Sequence, residues 1–294
     1  MNDADHASRP ALLPFLAVLR VQGPDAATFL QGQVTHDTRL LGDGRTLLAA
    51  VNNPQGRVVA LLRLRGSPQG IDALLPADLA EAVAARLRKF VLRAKVDVRV
   101  AADLRAVGIR ADRPPLPAAA TEAATAWFDY GPGRKVLAVP EGVLHEVLNA
   151  PAGESAEDVE TRWWSQDVAA GLPQVFAASS EAFVPQMLNL DLLDAISFSK
   201  GCYTGQEIVA RTQNLGRIKR RTARFRLPAG SSPPPLAGLS LDGTKVAEVV
   251  VSARAGDSIE LLAVTSLEAW GRTLRSEDGR EAVPQALPYP IAAA

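Results

Sequence analysis

Lys200-Gly201-Cys202-Tyr203-Thr204-Gly205-Gln206-Glu207 carries more information than any other stretch of this chain, and it holds the only cysteine in 294 residues. A thiol is reactive as the thiolate, and both a nearby cation and a helix N-terminus favour that form. Lys200 stands two residues before Cys202. Thr204-x-x-Glu207 has the spacing of a capping box, with Ile208, Val209 and Ala210 following as helix interior, so a helix is predicted to open at Thr204 and to stop near Gly216. Gly201 and Gly205 would allow a tight backbone path around the thiol. The same local features suit a small buried hydrophobe, which is how free cysteines commonly behave. Both readings stay open on local context.

Composition narrows the setting. Apolar residues make up 47% and charged residues 22%, and 32 basic residues balance 32 acidic ones. That is globular, with no overall charge to hold nucleic acid or a lipid surface. A single cysteine excludes an internal disulfide and suits a reducing compartment. No apolar run reaches membrane-spanning length, and Met1-Asn2-Asp3-Ala4-Asp5 lacks a secretion signal, so a cytoplasmic protein is expected, without a membrane. His6, His36 and His145 are scattered, and no metal-ligand spacing occurs, so no protein-only metal site is expected. The chain has neither a Walker lysine pattern nor a Rossmann fingerprint.

Outward from the cysteine run, the chain reads as α+β. Leu13–Val21 alternates as a strand, and Pro24–Leu30 reads as a short helix. Thr46–Val51 and Arg57–Leu64 flank Asn52-Asn53-Pro54-Gln55-Gly56 as a hairpin. Asp78 is placed to cap a helix running to about Arg93, with Leu79, Val83, Leu87, Phe90 and Val91 on one face. Arg113-Pro114-Pro115-Leu116-Pro117 and the Ala/Thr run to Ala126 read as a linker, and a hairpin spans Trp127 to Val139. Ser155-x-x-Asp158 caps a helix to about Ala170. It carries adjacent Trp163 and Trp164, which point about 100° apart. Either both belong to the core and its edge, or one is a stacking surface for a flat ligand. From Arg217 onward short strands alternate with Pro and Gly clusters, which predicts an all-β module. The boundaries drawn are 1–214 and 215–294.

No acidic residue lies between Glu207 and Asp242, while Arg211, Arg217, Lys219, Arg220, Arg221, Arg224 and Arg226 do. In the strand at its centre Arg220, Arg224 and Arg226 share one face, and Ala223, Phe225 and Leu227 the other. Such a strip either meets an anionic ligand or is a solvated face paired with acids from elsewhere.

The cysteine run resembles the signature of the YgfZ-type folate-binding proteins, relatives of the mitochondrial Iba-type iron–sulfur assembly factor. The likeness extends through Phe183-Val184-Pro185-Gln186, Asn189-Leu190, Ile196-Ser197-Phe198 and Ile208-Val209-Ala210-Arg211-Thr212. Near the N-terminus, Phe29-Leu30-Gln31-Gly32-Gln33-Val34-Thr35 and Gln55-Gly56-Arg57 also resemble family segments. The resemblance implies an aminomethyltransferase-like (T-protein-like) fold, with three domains around a hole that accepts tetrahydrofolate and a C-terminal β-barrel. It implies a role in assembling or repairing iron–sulfur clusters in client enzymes, including those that thiomethylate tRNA. A cluster would be held transiently and only with a partner. Partners would be client enzymes or assembly proteins and folate polyglutamate, with tRNA contacted indirectly.

On that resemblance Cys202 and Lys200 carry the chemistry, Lys200 as thiolate stabiliser. Trp163, Gln31, Gln33, Asn189, Tyr203, Gln206 and Arg211 would meet the folate. Two departures are informative. The methyltransferases carry a proton-handling aspartate after the hairpin glycine, where this chain reads Gly56-Arg57-Val58-Val59-Ala60-Leu61. Their pterin-holding Glu-Ala-Gly reads Ala169-Ala170-Gly171. A folate-dependent aminomethyl transferase, the alternative function, would lack both carboxylates.

Overall fold

The computed structural model describes residues 10–110, 124–148, 155–214 and 218–291. The linker from Arg113, Gly216 and Arg217 fall outside these, in whole or nearly so. Two compact units interleave along the chain. One takes Met1–Ala49, Ala60–Glu160 and Lys200–Tyr203, and the other takes Ala50–Val59, Thr161–Ser199 and Thr204–Ala294.

The first unit is built on two sheets. Strands β1 (Ala11–Leu12), β2 (Leu16–Gln22), β3 (Thr46–Asn52), β4 (Val58–Ser67), β5 (Gly70–Pro76), β6 (Asp97–Val100), β7 (Leu104–Arg110), β8 (Ala126–Gly131) and β9 (Arg134–Pro140) supply them. One sheet has the order β3-β4-β5-β2-β6 and the other β1-β7-β9-β8. The tip of the β3–β4 hairpin, Ala50–Val59, groups with the second unit. Strand β4 is buried from Val58 through Leu64, so it reads as an unbroken apolar run interrupted only by Arg63. Helix α1 (Ala26–Gln31) follows β2, and α2 (Ala77–Arg88) follows β5.

Helix α2 buries Leu79, Val83 and Leu87 as its spacing predicts. It differs from the sequence reading at both ends. Pro76 takes the N-cap place, with Asp78 inside the first turn, and the helix ends at Arg88 rather than Arg93. Leu87 is the last residue of the buried stripe, and Phe90, beyond it, is 41% exposed. Without a packed face there is little to sustain another turn. Helix α3 (Leu144–Leu148) follows β9 and packs Val147 against Val107, Leu137 and Val139.

In the second unit, α4 (Ala156–Ala169, its last nine residues grouped here) is capped as its sequence predicts. The Asp158 N–H donates to Ser155 Oγ at 3.1 Å, and Ser155 Oγ donates to Asp158 Oδ2 at 2.7 Å. Helix α5 (Gln206–Asn214) leads to the barrel of β10 (Arg220–Pro228), β11 (Gly238–Leu241), β12 (Thr244–Ala255), β13 (Ser258–Ser266), β14 (Leu274–Ser276) and β15 (Glu281–Gln285). It closes in the order β10-β13-β12-β11-β14-β15. Closure leaves no unpaired edge. Register shifts at Leu239/Ser240 and Val249/Val251 supply the local bends that closing so small a sheet requires. Ala223, Phe225 and Leu227 point into the barrel core with Leu239, Val249, Leu261 and Ala263.

Candidate functional site around Cys202

Cys202 is exposed. Of the two readings its sequence allowed, plain core packing is therefore removed. The segment 200–203 belongs to the first unit, and its anchor is Lys200. That residue is 6% exposed, and its ammonium donates to three backbone carbonyls: Gln31 O at 2.6 Å, Val34 O at 2.7 Å and His36 O at 3.0 Å. An ammonium has three N–H donors, so all are committed. The Gln31 carbonyl ends α1, where backbone acceptors lack helical partners and a cation is favoured. Burial pulls the Lys200 pKa down to about 8, with the Asp37 carboxylate pulling back upward. Its donors hold the 31–36 turn, and none of them is given to the thiol. Tyr203 lies under the same ammonium, 4.9 Å from ring centroid to Nζ, and burial raises its phenol to about 12. Two buried neighbours, Lys200 and Tyr203, thus fix a segment whose thiol is open.

The turn that Lys200 holds is itself cross-braced. Gln31 Nε2 donates to Asp37 Oδ1 at 3.0 Å, and Gln31 Oε1 accepts from Thr38 N and Thr38 Oγ1, each at 2.8 Å. Asp37 also pairs with Arg39, whose hydrogen bonds hold the carboxyl well below the usual carboxylate range. The Gln31 amide is spent on its own turn, whereas the half-buried Gln33 side chain makes no hydrogen bond among the described residues.

The entry to α5 also differs from the capping-box expectation. Gly205 has φ +79°, outside the helical region, so it cannot be the first helical residue and Thr204 cannot be the N-cap. The helix starts at Gln206, and Thr204 and Glu207 are out of register for a box. Gly205 is needed for another reason. A Cβ there would stand 2.5 Å from Asn53 O and 2.9 Å from Gly56 Cα, and Gly56 itself has φ +70° with Ile208 Cβ 2.7 Å from its own Cβ position. The glycine of the cysteine run and the glycine of the β3–β4 turn back directly onto each other. Gly201 has open space around it and no such role. On α5, Arg211 is exposed and makes no ion pair among the described residues, while Gln206 is half-buried and partnered.

The remaining implied residues lie in the second unit. Asn189 is fully buried in the left-handed conformation, φ +57°. Its Nδ2 donates to Thr222 O at 2.9 Å, and its Oδ1 accepts from Arg221 at 3.3 Å. Arg221 in turn makes a two-pronged pair with Asp191, at 3.0 and 2.8 Å. Tyr289 Oη donates to Gly171 O at 2.7 Å and lies 3.4 Å from Asn189 Nδ2. This network was not anticipated from sequence, although Asn189 and Asp191 two residues apart, upstream of an arginine-rich strand, are its signal. It makes Asn189 a structural joint. Trp163 and Trp164 are both buried, at 7% and 5% exposure, with Trp164 edge-on to Phe176 at 5.4 Å. Neither indole is a surface platform. A cavity of about 240 Å³ on the barrel, lined by Arg224, Trp270, Gln285 and Tyr289 among others, takes in none of the implied residues.

The basic strip resolves as a paired face. Arg224 and Arg226 both bond Glu260, the latter at 2.7 Å, and Arg220 bonds Glu248 at 2.9 Å. The acids come from β12 and β13, which the local sequence cannot show.

A tetrahydrofolate, implied by the resemblance, needs polar donors for its pterin and cations for its glutamate tail. Gln31 and Asn189 are spent, Ala169 brings no carboxylate, and Ala60 and Leu61 are fully buried hydrocarbon in β4. The open groups are Gln33 and Arg211. Arg211, in the second unit, suits an anionic tail, Gln33, in the first, brings no charge, and neither by itself fits the pterin ring, so no one-carbon step is derived. Among the described residues, no group of three or more His, Cys, Asp or Glu could hold a metal ion, and no helix is long and apolar enough to cross a membrane.

The strand orders and the closed six-stranded barrel define an aminomethyltransferase-like fold. The glycine cleavage system aminomethyltransferase T from Bartonella henselae superposes with a TM-score of 0.72 over 96% of this chain and 86% of its own, at 17% identity. No protein-family model matches. In sequence the chain is 35% identical over 242 residues to the tRNA-modifying protein YgfZ of Klebsiella pneumoniae, covering 77% of this chain and 73% of that protein. It is 33% identical to the corresponding protein of an Enterobacter species, with the same coverage. The chain belongs to the YgfZ family of tRNA-modifying proteins.

Proposed function

We propose that this protein supports tRNA modification through its thiol, by sustaining an iron–sulfur cluster in a client enzyme that thiomethylates tRNA. The observation that carries the reading is the single cysteine of the chain, exposed on a segment that Lys200 and Tyr203 hold in place. Cys202 as thiolate would ligate an iron of a cluster in transit. A four-coordinate iron needs further ligands, and one cysteine cannot supply them, so the client or a small thiol completes the set. The cluster is cargo, and tRNA is the client's substrate rather than a ligand of the paired arginine face.

Folate enters through Arg211, the open cation of α5, as a ligand gripped by its glutamate tail. The aminomethyl-transfer alternative is disfavoured because buried Ala60 and Leu61 stand where a proton-handling carboxylate would be needed. Two measurements test the reading. A purified cluster-dependent tRNA thiomethylating enzyme, inactivated by oxidation, should regain activity with the wild-type chain and not with Cys202→Ala; equal recovery would defeat the cluster role. Fluorescence titration should give tighter binding of tetrahydrofolate triglutamate than monoglutamate, a gap that Arg211→Gln closes; equal affinities in the wild type would remove the folate role.

A further inference from the structure

Strand β4 buries one charged residue in an otherwise apolar run. Arg63 is 5% exposed, and its guanidinium carbon lies 3.5 Å above the centroid of the Tyr130 ring, which is 1% exposed. Arg134, also 5% exposed, has its guanidinium carbon 5.1 Å from the same centroid. The three come from β4, β8 and β9, and all belong to the first unit. The ring satisfies the face of a guanidinium by cation–π attraction. It leaves the N–H groups, which point outward in the guanidinium plane. Among the described residues none of the Arg63 N–H groups has a hydrogen-bond acceptor, and no carboxylate pairs with it.

A buried cation is costly unless it is paired and hydrogen-bonded. Strand β4 could have carried a leucine here, as it does on both sides at Leu62 and Leu64. A planar fork of N–H donors matches two oxygens of a carboxylate or phosphate.

We propose that Arg63, Tyr130 and Arg134 form a binding site for a small oxyanion or for the carboxylate or phosphate end of a larger ligand. Arg63 supplies the bidentate contact and Tyr130 fixes the plane of the fork, with the Arg134 guanidinium carbon 5.1 Å from the same ring. The site shares no residue with the Cys202 segment, and its failure would leave the thiol reading intact.

The test is calorimetric titration of the full chain at constant ionic strength, with inorganic phosphate in one arm and free tri-γ-glutamate in the other. Saturable one-site binding in either arm is expected, and the arm that binds tells phosphate from carboxylate. Arg63→Gln should abolish it. Arg63→Lys keeps the charge and the fold but not the fork, and should weaken it at least tenfold. Should Arg63→Gln fail to fold, Arg63→Lys carries the comparison. Absence of binding in both arms, or binding unchanged in Arg63→Lys, overturns the proposal. As a direct check, tungstate soaked into crystals should give an anomalous peak within hydrogen-bond distance of Arg63; ordered water alone there would contradict it.

Discussion

Replacing Lys200 with Met separates a clamp from a thiol activator. The substitution keeps the length and apolar stem of the side chain and removes only the ammonium. Three carbonyls, of Gln31, Val34 and His36, lose a charged donor at 2.6 to 3.0 Å. Hydrogen bonds to charged groups contribute about 1.5–3 kcal/mol each, and an orphaned buried acceptor costs about 1–3 kcal/mol. Against this, Met removes the burial cost of the cation, visible as the fall of the lysine pKa from 10.5 to about 8. The net loss should be about 3 kcal/mol, read in urea titration as a lower midpoint at unchanged slope. The pH profile carries an independent sign. Because the folded pKa lies below the unfolded one, the folded chain binds fewer protons between about pH 8 and 10.5, so the Lys200 contribution to stability rises with pH across that window. The wild type should gain on Lys200→Met there and run parallel to it below pH 7. The rate of Cys202 with a disulfide reagent, measured on folded protein, should change less than threefold. A variant as stable as wild type with its thiol rate collapsed would refute the clamp and restore Lys200 as activator.

Other expectations follow from the same geometry. Gly205→Ala forces a Cβ into Asn53 O and Gly56 at a positive φ and should cost more than about 2 kcal/mol in chemical denaturation, whereas Gly201→Ala should stay within about 0.5 kcal/mol. Asp191→Asn leaves Arg221, 9% exposed, without its two-pronged partner and should destabilise the second unit by about 3 kcal/mol, measured the same way. Arg226→Gln should leave retention on immobilised tRNA at low ionic strength unchanged, because Glu260 already neutralises that face; a clear drop would reinstate the strip as an RNA contact.

Much of the architecture is written in local pattern. The hairpin around Pro54, the Ser155 cap and the inward alternation of Ala223, Phe225 and Leu227 are each set by residues close in sequence, and the structure has them where the spacing puts them. The opening of α5 is misread because a capping-box spacing says nothing about φ at Gly205, which is imposed by the Gly56 turn about 150 residues upstream in sequence. For the candidate site, sequence names residues and does not show their partners. Lys200 two positions from a thiol suggests an ion pair, yet its partners are carbonyls more than 160 residues away. Gln31 and Asn189 resemble ligand-binding amides until their hydrogen bonds are counted. Arg220, Arg224 and Arg226 look unopposed because Glu248 and Glu260 reach them only once the barrel closes.

The central claim is that the exposed thiol of Cys202 is what the rest of this scaffold serves. A bacterial strain lacking its own YgfZ protein, complemented with Cys202→Ala at wild-type abundance, is the direct measurement. Mass spectrometry of its tRNA nucleosides should show 2-methylthio modification no higher than in the uncomplemented strain, while Gly201→Ala restores it. Full restoration by Cys202→Ala would contradict the account.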